Sequence, residues 1–171
     1  NGNMNKDRID IILEEWQQEL PQLDTSAVVI IGRILRIARL LEKHRESILV
    51  EYGLNVWSFD VLATLRRQGQ PFRLKPTELY SLLMLSSGAM TNRIDRLEQD
   101  GIVMRVRDAE DRRSVMVQLT SKGIQLADTV MPILFEKEKQ MLSQFTADEV
   151  QLSTPMLRKL LILLEQNAKS V

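Results

Sequence analysis

The sequence predicts a mainly α protein with one small β-hairpin. Three observations lead there. Apolar residues recur at helical spacing along most of the 171 residues. One stretch, 102–119, switches to a two-residue period. The final helix carries Leu160-Leu161-Ile162-Leu163-Leu164, which is apolar around more than half its circumference, so a second helical partner is expected to cover it. The composition agrees with a folded globular chain, at 44% hydrophobic and 27% charged residues.

The elements follow in order. Asn1-Gly2-Asn3 reads as an expression scar ahead of an initiator, Met4. Ile9, Ile12, Leu13, Trp16 and Leu20 mark a first helix, stopped by Pro21. A long second helix is expected from a cap at Thr25 or Ser26 to about Tyr52, closed by Gly53, with Arg33, Arg36 and Lys43 on a solvated stripe. Asn55 is placed to cap a third helix, Val56 to Gln68, before Gly69. Gln70 to Lys75 reads as a polar connection, and Pro76 as the first position of a short helix to Met84. Ser86, Ser87 and Gly88 are expected to interrupt before a helix from Ala89 to about Gln99, ended by Gly101. Ile102, Met104 and Val106, then Val115, Val117 and Leu119, form two strands around a charged tip, Asp108 to Arg113. Thr120 opens a long helix to about Gln144, with a kink expected at Pro132. Thr146 with Glu149 is a capping box for a last helix to about Asn167, expected to bend or break near Pro155.

Charge and composition narrow the function. The 23 Lys and Arg balance 23 Asp and Glu, which excludes a polycationic tail binder but not a local basic surface. Absence of cysteine excludes disulfides, thiolate catalysis and thiol redox sensing; the one histidine, His44, builds no metal site alone. There is no glycine-rich phosphate loop and no nucleophile elbow, so an enzyme is not expected, and no cofactor with it. No apolar run approaches a membrane span and no signal-peptide pattern opens the chain, so a cytoplasmic protein is expected.

Two helices joined by a short turn and followed by a charged hairpin are the order of a winged helix-turn-helix. Ser86, Ser87, Thr91, Asn92 and Arg96 place polar groups where the second helix would enter a major groove. Met90, Ile94 and Leu97 form the opposite, packing face, while Arg112 and Arg113 at the hairpin tip suit a narrow minor groove. Between Arg93 and Arg113 six arginines meet six acids, so binding depends on which way each charge faces.

The run Ser86-Ser87-Gly88-Ala89-Met90-Thr91-Asn92-Arg93-Ile94-Asp95-Arg96-Leu97, continued by Asp111-Arg112-Arg113 and Val117-Gln118-Leu119-Thr120, resembles the MarR family of bacterial transcription regulators. The resemblance implies a homodimeric winged helix-turn-helix protein on double-stranded DNA, a repressor at a palindromic operator, with residues 5–171 as one domain. Within it, 55–119 would form the DNA-binding lobe, and 5–52 with 120–168 the helical dimerisation region. A closer resemblance, to the urate-responsive HucR/PecS branch, implies a ligand site of Trp16, Asp60, Arg93 and Arg105. Urate is a flat anion, and arginine forks suit its adjacent carbonyls. The alternatives are a regulator answering phenolic or other lipophilic anions, and a winged-helix module that binds protein.

Overall fold

A computed structural model describes residues 6–84 and 86–168, so the expression scar expected at 1–3 lies outside the described residues. Helix α1 (Arg8–Glu19) is capped by Asp7, whose carboxylate accepts from the backbone N–H groups of Ile9 and Asp10. Helix α2 (Val28–Leu49) runs into a 3-10 turn at Val50–Tyr52 and ends at Gly53, whose φ of 69° is cheap only for glycine. The side-chain cap expected at Thr25 or Ser26 is absent. Asp24 instead accepts from Ser26 N–H, and α2 starts from a backbone turn, Val28 N–H to Thr25 C=O. The two helices are clasped by Arg33, which donates to Asp7 at 2.8 Å and to Asp10 at 2.6 Å. Gly32 lets them approach, since a Cβ there would lie 3.3 Å from Ile9 Cδ1.

Helix α3 (Val56–Arg66) has Asn55 as its cap, as the sequence predicts, with Ser58 N–H donating to Asn55 Oδ1 at 3.0 Å. The expected polar connection contains a strand, β1 (Arg73–Leu74), too short to leave a periodic signal. Helix α4 (Pro76–Leu83) begins on its proline. Helix α5 spans Ser87–Gln99, two residues longer at its start than expected. Ser86 caps it, so the Ser-Ser-Gly run begins the helix instead of interrupting one. Strands β2 (Val103–Arg107) and β3 (Val115–Leu119) complete an antiparallel sheet of order β1-β3-β2, with Arg105 opposite Val117 and Leu74 also opposite Val117.

Helix α6 (Ser121–Leu142) opens on Thr120, whose hydroxyl accepts from Gly123 N–H and donates to the Gly101 carbonyl. Helix α7 (Ala147–Ala168) starts on the predicted capping box, Thr146 with Glu149. It stays helical through Pro155, so the expected break is absent.

The described chain divides into two compact units between Ala127 and Asp128. The first holds a continuous core. Phe59, Val61, Leu62 and Leu65 of α3 are buried with Leu79 of α4, with Met90, Ile94 and Leu97 of α5, and with Val103, Val117 and Leu119 of the sheet. The second unit includes α7, in which no described residue is buried and Leu152 is 78% exposed. Helix α2 also leaves Leu35, Ile37 and Leu40 more than half exposed.

Among the described glycines Gly123 has the least room: a Cβ there would sit 2.2 Å from the Ile102 carbonyl oxygen. Gly123→Ala is expected to lower unfolding stability by about 1–3 kcal/mol. Gly88→Ala, where a Cβ meets nothing within 4 Å, is expected to be tolerated. Denaturant midpoints of the two variants check this, and equal midpoints would refute it.

Candidate functional site

Burial of Met90, Ile94 and Leu97, each at most 1% exposed, fixes the rotation of α5 about its axis. Thr91, Asn92 and Arg96 are therefore exposed on the far side, together with the cap Ser86. Ser87 supplies the first turn of the helix. The helix N-terminus also offers backbone N–H groups suited to phosphate. Arg112 and Arg113 lie exposed in the loop between β2 and β3. That loop is closed by Asp108 N–H to Ser114 C=O and by Ser114 N–H to Asp111 C=O, while Asp111 accepts from Arg113 N–H. The residues expected to touch nucleic acid thus occupy two places, one helix face and one hairpin tip.

Of the four residues expected at a ligand, the structure brings two together. A cavity of about 370 Å³ is lined by Glu42 and Glu46 of α2, Asn55, Val56, Trp57 and Asp60 around the start of α3, Leu83 of α4 and Arg93 of α5. Arg93 rises from α5 and sets its guanidinium carbon 5.4 Å from the centre of the Trp57 ring, a cation–π contact. Asp60 lies one turn beyond Trp57 on the same face of α3.

Trp16 and Arg105 do not line this cavity. Trp16 is on α1 and 43% exposed. Arg105 donates to Asp95 at 2.5 Å and also to Glu98, both on α5. Partial burial pulls the Arg105 guanidinium down, but the two carboxylates outweigh it and hold it above arginine's ordinary value. Sequence reasoning missed Trp57 as the aromatic of the cavity, although its three-residue spacing from Asp60 was a signal. It also missed Glu42 and Glu46, which sit one turn apart on α2.

The cavity is rich in carboxylates, yet among the described residues no group of three or more His, Cys, Asp or Glu is arranged to hold a metal ion. Burial raises the Asp60 carboxyl above its usual range; Arg45 and Arg67 pull it back, and Glu42 adds to the rise. Carboxylates can accept hydrogen bonds from N–H donors of a ligand, and Arg93 can donate to its oxygens. Among the described residues, no single helix is long and apolar enough to cross a membrane.

Comparison with known proteins identifies the family and the fold. A family model described as MarR family matches residues 54–115. The HTH-type transcriptional regulator PecS of Dickeya dadantii is 37% identical over 138 residues, covering 81% of this chain and 83% of PecS. AbsC, a MarR family transcriptional regulator from Streptomyces coelicolor, shares the fold with a TM-score of 0.75 at 21% identity, over 84% of this chain and 97% of its own. A cysteine-to-serine mutant of MarR from Escherichia coli, complexed with operator DNA, superposes with a TM-score of 0.70. It is 26% identical over 82% of this chain and 99% of its own.

The raised Asp60 carboxyl has a consequence for stability. The folded state holds the proton more tightly than the unfolded chain, so ionising Asp60 costs stability as pH rises above 3.8 and through the folded value. Asp60→Asn is therefore expected to be at least as stable as the parent at pH 7, with that advantage fading as pH falls to 3.8. Thermal melts over this range check it. A variant markedly less stable at pH 7 would show that the pull of Arg45 and Arg67 dominates.

Proposed function

Because the chain belongs to the MarR family of DNA-binding transcriptional regulators, which are not enzymes, we propose that it is a cytoplasmic, homodimeric repressor of a palindromic operator, released by a small anionic ligand such as urate. In each protomer α5 enters the major groove with Ser86, Ser87, Thr91, Asn92 and Arg96 towards the bases and backbone. Arg112 and Arg113 reach the adjacent minor groove, whose negative potential favours arginine. The exposed apolar faces of α2 and α7 support a second copy as the partner that covers them. A sedimentation mass near twice 19.7 kDa is expected.

The observation that carries the ligand reading is Arg93. It belongs to the DNA-facing helix, yet its guanidinium lies over Trp57 in a cavity shared with Asp60. A flat anion entering there competes with the Trp57 ring for Arg93 and repels Asp60. Each change alters how α5 is held against α2 and α3. A coupling of about 1–3 kcal/mol between cavity and DNA face gives a 5- to 150-fold change in operator affinity. Glu42, Glu46 and Asp60 favour a ligand that also carries N–H donors. Urate has both ring N–H donors and carbonyl acceptors, whereas salicylate has no N–H and its one hydroxyl hydrogen bonds to its own carboxylate.

Fluorescence anisotropy on a selected operator, with urate and with salicylate, tests this. Urate is expected to release the parent protein. Asp60→Asn is expected to bind DNA within about twofold of the parent but to need about tenfold more urate. Release of both proteins at the same urate concentration would remove Asp60 from the switch. Release by salicylate alone would favour a phenolic ligand, and no specific binding would overturn the regulator itself.

The tip arginines give a separate expectation. Arg112→Ala with Arg113→Ala should weaken operator binding about tenfold or more and reduce the salt dependence by up to about two counterions. Unchanged affinity at two salt concentrations would refute it.

A further inference from the structure

We propose that Arg105 is the positioning residue of the DNA-binding surface. It straps the β2–β3 hairpin to α5 through Asp95 and Glu98, and so fixes the distance between the helix in one groove and the hairpin tip in the next. This rests on the DNA-binding reading above and adds to it a residue that touches no nucleic acid.

The strap is built from both chain directions. Strand β2 is an edge strand in the order β1-β3-β2, so part of its outward backbone lacks a ladder partner. At Arg105 that outward N–H donates to Glu98 Oε1 at 3.1 Å. The side chain of the same residue returns to α5. One guanidinium nitrogen meets Glu98 and the other meets Asp95 at 2.5 Å, so the fork spans one turn of the helix. Val103, two residues earlier on the same side of the strand, is buried in the core. Arg105 therefore ends the anchored part of β2. Past it, only Val106 and Arg107 pair with β3 before the loop that carries Arg112 and Arg113.

Lever arithmetic shows why the anchor matters. From Arg105 to the tip is about five residues, or about 16 Å of extended chain. A tilt of about 10° at Arg105 displaces the tip by about 3 Å, half the width of a minor groove of about 6 Å. Charge also argues that Arg105 acts through its partners. Its one positive charge faces two carboxylates within bonding reach, which leaves this cluster net negative and a poor seat for phosphate.

The test separates positioning from charge. A triple variant, Arg105→Ala with Asp95→Ala and Glu98→Ala, removes the strap while making the cluster neutral, so electrostatics alone predicts equal or tighter DNA binding. The strap predicts that Arg112→Ala with Arg113→Ala, costing about tenfold in the parent, costs less than about twofold in the triple background, at unchanged circular dichroism. Hydrogen exchange of the backbone amides from 108 to 114 is expected to accelerate in the triple variant even without DNA. An undiminished tip penalty, or unchanged exchange, would overturn the proposal. If the parent binds no operator, the regulator reading fails, and the exchange measurement alone decides whether the strap holds the hairpin.

Discussion

The winged-helix part of this molecule depends on the burial of one face of α5. Met90, Ile94 and Leu97 fit against α3, α4 and the sheet with essentially no exposure. At roughly 1.5–3 kcal/mol for each fully buried side chain, this face outweighs any surface contact that α5 makes. It sets the rotation of the helix about its axis. Everything else on α5 then has its direction assigned: Thr91, Asn92 and Arg96 outward, Arg93 sideways to Trp57, and Asp95 and Glu98 towards β2. Function is written on the remaining faces of a helix whose orientation is decided by grease.

Two parts of the chain sit on opposite sides of this rule. The first unit buries a continuous core and holds a cavity with carboxylates in its wall, although Leu35, Ile37 and Leu40 of α2 stay exposed. In the second, no described residue of α7 is buried. In proteins most helical stability comes from packing an apolar face and not from intrinsic propensity. The stability of α7 has to come from packing, so assembly and folding of the terminal helices are one process in the proposed dimer.

Local chemistry was the legible part of this sequence. Asn55 and Thr146 announce their helices because a side-chain cap needs only residues within four positions, and both caps form. The period-two strands around Asp108 to Arg113 were legible for the same reason. Short-range rules failed where a contact is made across the fold. Arg73 and Leu74 become a strand only because Gln118 and Val117 lie beside them. Ser86 looked like a breaker, since serine serves a loop and a helix cap equally well. Resemblance alone makes Arg105 a ligand contact, and alternation in its strand says which side it is on, not which carboxylates wait there. Trp57 was overshadowed by Trp16: both have helical neighbours, and only the packing of α3 against α2, α4 and α5 shows which one borders a cavity.

The even balance of arginines and acids between Arg93 and Arg113 bears on how the protein finds its site. Affinity for arbitrary DNA grows with the number of phosphates a surface neutralises. Here Asp95 and Glu98 consume one arginine before any phosphate is met. On the proposed DNA surface, such near-neutrality predicts weak binding to random sequence, so the bulk chromosome would sequester fewer molecules. Occupancy of a promoter is then governed by fit at the two grooves and responds to small changes in protein number, which suits a regulator present in few copies.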